Sequence, residues 1–400
     1  MKSVYLDNNA TTRVAPEVLD AMMPYLTLLY GNPSSMHSFG GRMGHDVDQA
    51  RAQIAQLIGA DPDSVYFTAG GSESDNLAIR GALEALDGER RHLVTTTVEH
   101  PAVRKLMHYL RDRHGYRLTE IGVNGDGALD LEALQQALDE GDVALVSVMW
   151  ANNETGVIFP IARIATMVKA AGALLHVDAV QSVGKVPIDL SRVPIDLLAI
   201  SGHKIHGPKG IGALFVREGV KLAPLIHGGS QEGGLRAGTS NVPGIIGLGA
   251  AAELARQQLA SGEVEQMAAL RDRLERGIRE LGVPVRINGR DRLPSTLSVS
   301  FEYIEGESVL LLLDDEGIAA SSGSACASGS LDPSHVIQAM GIPFTAAHGT
   351  IRFSLSRYTT ADEIEYTLQR LGPIVTRLRE ISPYSGEGGE YPLDDVRQVG

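Results

Sequence analysis

Cysteine is almost missing from this chain: Cys326 is the only one in 400 residues. An intrachain disulfide is therefore excluded, and so are a CxxC redox pair and a cysteine-rich zinc site. Long apolar runs are missing as well. None reaches the roughly 18 residues that a membrane span needs, and the start has no apolar signal core, since Asp7 and Asn8 interrupt it. These absences predict a cytoplasmic protein without membrane contact. Net positive charge is missing too. A formal charge of −14 argues against a nucleic-acid partner, which favours a basic face. His203 and His206 are too few to make a metal site, and no resident metal is expected. Asn9-Ala10-Thr11 and Asn153-Glu154-Thr155 match the glycosylation triplet by coincidence.

At 43% hydrophobic residues, a chain of this length can bury a large core, and two or three domains are expected. After a polar arm, Pro16 opens a helix to residue 29, with proline at the first helical position. A second helix is predicted over 37–58, stopping at Gly59. Strand and helix signals then alternate. Strands are predicted at 65–68, 93–98, 117–123, 143–149 and 173–177, and helices at 73–86, after Pro101, at 129–138 and at 161–171. This order predicts an α/β fold with a mostly parallel sheet covered on both faces. Near Ala260 the pattern changes. Val264, Met267, Leu270, Leu274, Ile278 and Leu281 mark an apolar helix stripe. Strands at 295–301 and 350–354, with helices at 308–315 and 361–378, predict a smaller α+β domain. The expected division is an arm at 1–15 packing with the small domain, a large domain at 16–260, a small domain at 261–380 and a weakly ordered tail at 381–400.

In open α/β sheets, ligands sit outside the carboxyl ends of the strands, and polar clusters fall there repeatedly in this chain. Gly71-Ser72 follows one strand and opens a helix, whose free N–H groups suit a phosphate; capping by Ser72 would use the same donors. His100 follows a second strand, Asn153 a third, and Asp178 and Gln181 a fourth. Ser201, His203 and Lys204 follow a fifth run at 195–200, and a sixth at 211–216 leads away again. A lone lysine is usually a surface cation. Held in that tight loop, Lys204 could instead be desolvated, lose its proton and condense with a carbonyl. Polar groups converging on one edge are costly to bury unpaired. Together they predict a ligand that is anionic at one end, carbonyl-bearing at another and basic at a third. Pyridoxal 5′-phosphate (PLP) has those features. Lys204 would meet its aldehyde, Asp178 its ring nitrogen and His100 its ring face, with Gly71, Ser72, Ser201 and His203 at its phosphate. Lys209, the competing lysine, sits in a Gly-Pro-Lys-Gly turn.

Cys326 lies among small and polar residues, from Ser321-Ser322-Gly323 to Ser328-Gly329-Ser330, unlike a structural core cysteine. A reactive thiolate on a loop and a passive loop cysteine both fit that setting.

Taken together these residues resemble a known family, the PLP-dependent cysteine desulfurases. The resemblance rests on Ser-Gly-His-Lys at 201–204, His-Val-Asp-Ala-Val-Gln at 176–181, Asn-Asn-Glu-Thr-Gly at 152–156 and Ser-Ser-Gly-Ser-Ala-Cys at 321–326. Tyr-Leu-Asp-Asn-Asn-Ala-Thr-Thr at 5–12, Gly-Asn-Pro-Ser-Ser at 31–35 and Ile-Arg-Phe-Ser-Leu at 351–355 extend it. The stretch around Cys326 is similar to the family's first class, and 150–153 with 348–360 to its nitrogen-fixation branch.

The resemblance implies a PLP-dependent transferase fold of the aspartate aminotransferase type, a homodimer, and conversion of L-cysteine to L-alanine. The sulfur would remain on Cys326 as a persulfide, destined for an iron–sulfur scaffold protein, and Cys326 could also ligate an iron–sulfur cluster in passing. The resemblance assigns Lys204 to cofactor attachment and to the Cα proton, and Asp178 and Gln181 to the ring nitrogen and ring oxygen. It sets His100 against the ring as a proton carrier, beside Asn153. Gly71, Ser72, Ser201 and His203 would hold the phosphate, joined by Thr239 of the other subunit. Asn32, Asn153 and Arg352 would bind the substrate carboxylate, Arg352 through a bidentate pair.

Overall fold

The computed structural model describes residues 3–88, 90–322 and 333–382. Its strands are β1 (Val4–Tyr5), β2 (Val65–Thr68), β3 (His92–Thr96), β4 (Arg117–Ile121), β5 (Val143–Met149), β6 (Leu174–Asp178), β7 (Leu197–Ser201), β8 (Gly212–Val216), β9 (Val285–Asn288), β10 (Thr296–Phe301), β11 (Ile318–Ala319) and β12 (Thr350–Ser354). Its helices are α1 (Pro16–Thr27), α2 (Ser38–Ile58), α3 (Gly71–Ala85), α4 (Pro101–His114), α5 (Leu131–Asp139), α6 (Ile161–Ala170), α7 (Val242–Ser261), α8 (Glu263–Arg279), α9 (Gly306–Asp315), α10 (His335–Ala339), α11 (Phe344–Ala347) and α12 (Ala361–Ile381).

A seven-stranded sheet runs in the order β2-β8-β7-β6-β5-β3-β4. From β7 to β4 the pairs are parallel, whereas β8 opposes both β7 and β2. The reason is local: β7 reaches β8 through a short loop without a crossover helix, and that connection permits only antiparallel pairing. Helices cover both faces, so β5, β7 and β8 are buried at every residue rather than at alternate ones. Adjacent residues nevertheless serve opposite sides. Leu93 and Leu145 join the cluster of Leu77 and Met107, while Val94 and Val146 join that of Ile54 and Leu248, as the two-residue period of a strand requires.

A second core gathers Leu274, Phe301, Leu313, Phe353 and Leu371 around the antiparallel sheet β12-β10-β9. The apolar stripe read from the sequence lies on α8, which buries Met267, Leu274 and Ile278. The N-terminal arm belongs here at its start. β1 pairs with β11 in parallel, and Val4 and Leu6 are buried in this core. The arm then crosses to the large sheet. Asn8 N donates to the Ser354 carbonyl at 3.2 Å, and Thr12 N to the His203 carbonyl at 2.9 Å.

Several element bounds differ from expectation. Helix α3 starts two residues early, at Gly71, because Gly70 takes φ 152° and ψ −177° as its N-cap, a conformation open mainly to glycine. Helix α5 starts late, because the Asp130 side chain accepts from the N–H groups of Glu132 and Ala133 and Leu129 bridges Val123 instead. Helix α12 runs to Ile381, past its expected end, and most of the expected tail lies outside the described residues. Among the described residues no helix is long and apolar enough to cross a membrane.

Candidate active site

The carboxyl ends of β2, β3, β5, β6 and β7 share one edge of the sheet, and a cavity of about 790 Å³ opens there. That size suits a small cofactor with a bound amino acid. Gly71 and Ser72 line it from beyond β2, His100 from beyond β3 and Asn153 from beyond β5. Asp178 and Gln181 line it from β6, and Ser201, His203 and Lys204 from β7. Arg352 reaches it from β12, in the second core.

Lys204 ends a short 3₁₀ turn, Gly202–Lys204. The loop closes on itself tightly: a Cβ at Gly207 would lie 2.8 Å from the Gly202 carbonyl oxygen. Lys204 Nζ donates to the carbonyl oxygens of Asn9 and, at 2.9 Å, Ala10. The crossing arm therefore aims the amine. Lys209 is exposed and donates to the Thr12 carbonyl at 3.3 Å.

Burial sets the charges of the cavity. Asp178 is 7% exposed, and burial pushes its carboxyl up against the pull of His100, the Val180 N–H and Lys204. Burial drives the imidazoles the other way, His100 downward and His203 to about 4, so both are neutral at pH 7. His100 caps α4, its Nδ1 accepting from Ala102 N at 3.1 Å. Its proton therefore sits on Nε2. His203 Nδ1 lies 3.1 Å from Thr11 Oγ1.

These groups fit PLP. No side chain caps α3, so its first N–H groups have no intrahelical acceptor and can take a phosphate. Ser72 stands inside the first turn and is not the cap. A Cβ at Gly71 would lie 2.8 Å from Val180 Cγ2, so only glycine fits there without displacing Val180. Asp178 offers a buried carboxylate that a protonated ring nitrogen would neutralise. Arg352 Nη1 donates to the Asn153 carbonyl at 2.9 Å and Nη2 to Asp7 Oδ1 at 2.7 Å. Its buried Nε has no acceptor among the described residues. Two of the five guanidinium N–H groups are thus committed, and the second hydrogens of Nη1 and Nη2 are left with Nε–H for a carboxylate, enough for a bidentate contact.

Asn32 and Thr239 do not line this cavity. Both are exposed, and Asn32 Oδ1 accepts from Ser34 N at 2.9 Å. Cys326 lies outside the described residues. Conversely, the structure adds groups that sequence reasoning passed over. The Asn9 carbonyl accepts from both Lys204 Nζ and Gln181 Nε2. Glu154 is held by Ser334 Oγ at 2.5 Å, and burial raises its carboxyl to about 7. Asp75 Oδ1 lies 3.4 Å from His176 Nε2, but burial raises the acid and lowers the imidazole to about 3. His176 is therefore neutral, and its contact with Asp75 is not an ion pair. The loop and helix positions of these acids look unremarkable in the sequence, and the one available signal was the unusually polar arm.

Glu99, next to His100, gives a measurable consequence. Its Oε1 accepts from Thr96 Oγ1 and Met149 N, whereas its buried Oε2 has no partner among the described residues. Burial raises this carboxyl from 4.5 to about 8, so the folded protein holds its proton more tightly than the unfolded chain. That contribution to stability is complete below about pH 4.5 and is lost as pH rises toward 8, at most about 1.4 kcal/mol per pH unit. Glu99→Gln copies the protonated form. Its melting temperature should gain on the wild type steadily from pH 5 to 8, and parallel profiles would show that Glu99 is already ionised in the fold.

Comparison with known proteins bears on the family and the fold. Residues 4–367 match the aminotransferase class-V family. The chain is 55% identical over 393 residues to cysteine desulfurase 2 of Trichormus variabilis, covering 98% of each. It is 53% identical to the cysteine desulfurase NifS of Azotobacter vinelandii, over 99% of this chain and 98% of that one. The solved structure of a NifS-like protein superposes with a TM-score of 0.88 at 40% identity, covering 94% of this chain and 100% of that one.

Proposed function

The chain belongs to the aminotransferase class-V family, and on that premise we propose that it is a cysteine desulfurase, holding PLP at Lys204 and moving the sulfur of L-cysteine onto Cys326. The observation that carries this reading is the convergence of Lys204, Asp178 and the uncapped start of α3 on one cavity. Relatives named cysteine desulfurase, alike over nearly the full length, support it.

When bound, PLP supplies an aldehyde for an amine and a ring that draws electrons from the substrate Cα. Asp178 keeps the proton on the ring nitrogen, and Gln181 meets the ring oxygen. Lys204 Nζ, aimed by the arm carbonyls, takes the Cα proton. His100 can donate from Nε2, and the Arg352 guanidinium orients the substrate carboxylate. The Cys326 thiolate attacks the substrate Sγ. An S–S bond forms as Cβ–Sγ breaks, the electron pair of the broken bond stays with Cβ, and a proton there completes alanine. Thiol and L-cysteine give persulfide and L-alanine, with no outside oxidant.

In this reading residues 16–260 carry the cofactor, and 261–380 bring Arg352 and Cys326 to it. A second copy of the chain completes the site. Thr239 and Asn32 are exposed and do not line this chain's own cavity, and Leu26, Leu28, Tyr30 and Met36, close to Asn32 in sequence, expose apolar surface. The sulfur passes to an iron–sulfur scaffold protein serving nitrogenase maturation, a role supported by the 53% identity to NifS.

The test is a single turnover of the PLP-loaded protein with L-cysteine. Equal amounts of alanine and protein-bound persulfide are expected, read by amino-acid analysis and persulfide trapping. Absence of a bound chromophore, or of alanine, would overturn the proposal.

A further inference from the structure

A small cavity of about 30 Å³ adjoins Lys204, and a second lysine lines it, Lys185. The reaction as described does not use Lys185. It is 8% exposed, and its Nζ donates to Gln181 Oε1 at 3.1 Å. No carboxylate among the described residues pairs with it. A buried ammonium without a counter-ion is unfavourable, and burial, aided by the charges of Lys204 and Arg352, lowers Lys185 to about 7. A cation kept at that cost invites a role.

An amide can turn either its oxygen or its nitrogen to a neighbour, but an ammonium, the form Lys185 takes below about pH 7, has donors only. Lys185 therefore decides which way Gln181 faces. Oε1 turns back to Lys185 and Nε2 turns forward, where one hydrogen goes to the Asn9 carbonyl at 3.0 Å. The second hydrogen of Nε2 remains for the large cavity that Gln181 lines. A flipped amide would set Oε1 against the Asn9 carbonyl, which already accepts from Lys204. It would also set Oε1 against the cofactor's ring oxygen, another acceptor.

We propose that Lys185 is a positioning residue that locks the Gln181 amide with its N–H₂ toward the cavity, so that the ring oxygen of PLP always meets a donor. This rests on the cofactor reading above.

The test is a double-mutant cycle on PLP binding, read by titration of the apoprotein and by the absorption maximum of the bound cofactor. Lys185→Met and Gln181→Met should each weaken PLP about tenfold and shift the maximum in the same direction. Because Lys185 acts through Gln181, the double variant should be no weaker than Gln181→Met alone. Lys185→Arg, which also can only donate, should stay within about twofold of wild type. Losses that multiply to about hundredfold in the double variant, or an unshifted maximum in Lys185→Met, would overturn the proposal. If Lys185→Met does not fold, Lys185→Gln, which no longer dictates the amide's direction, takes its place in the cycle. Wild-type protein that binds no PLP would instead sink the cofactor reading itself.

Discussion

Lys204→Ala is expected to cut alanine formation by about 10³-fold or more while leaving the protein folded. The loss is large because one side chain is asked for two things. Its amine joins the cofactor, and the same nitrogen moves the Cα proton, a step for which a placed base contributes about 10²–10⁴-fold by itself. The fold should tolerate the change. Lys204 Nζ bonds the carbonyls of Asn9 and Ala10 at the cavity, where water can replace it. Borohydride reduction of the loaded wild type, followed by peptide mapping, should place the cofactor on the peptide containing Lys204. In the variant no such peptide should form, and Lys209→Ala should behave as wild type. Cofactor mapped to Lys209 or Lys185, or more than a tenth of the activity surviving in Lys204→Ala, would remove Lys204 from its role.

Lys204 could be read from the sequence because two apolar runs bracket it, and strand ends are where an α/β sheet presents its ligands. Asp178, Ser201 and the Gly71 turn were legible for the same reason. The sheet itself was legible because β5 and β7 are apolar but for Ser147 and the terminal Ser201, as parallel strands buried on both faces favour. Other features had no local signal. β1 and β11 are two residues long, too short for any periodicity, and they exist because they meet across some three hundred residues of chain. The same arm creates the Asn9 carbonyl site shared by Lys204 and Gln181, so the role of Lys185 could not be read from its neighbours in sequence. Glu99 and Asp75 are likewise ordinary acids until tertiary packing buries them. Asn32 and Thr239 entered through family resemblance alone. Their exposure, away from this chain's cavity, explains why no reasoning about one chain's strand ends could have reached them.

Cys326→Ala separates a desulfurase from a lyase built on the same fold. The variant is expected to bind PLP as the wild type does, since every group assigned to the cofactor lies elsewhere in the chain. Alanine formation from L-cysteine should fall by about 10³-fold or more, and protein-bound persulfide should vanish. The argument turns on where the electrons of the Cβ–Sγ bond go. Alanine forms only if the pair stays with carbon, and then the sulfur must be taken by a nucleophile. Without the thiolate there is none. What turnover remains must let the sulfur leave with the pair as sulfide, and the carbon skeleton then ends as pyruvate and ammonia. Residual activity in Cys326→Ala should therefore yield pyruvate in place of alanine. Because the chain has one cysteine, alkylating the wild type with iodoacetamide must produce the same switch, faster as pH approaches the ordinary thiol pKa of about 8.5. Undiminished alanine from either protein would mean that another group takes the sulfur, and the desulfurase assignment of Cys326 would fall.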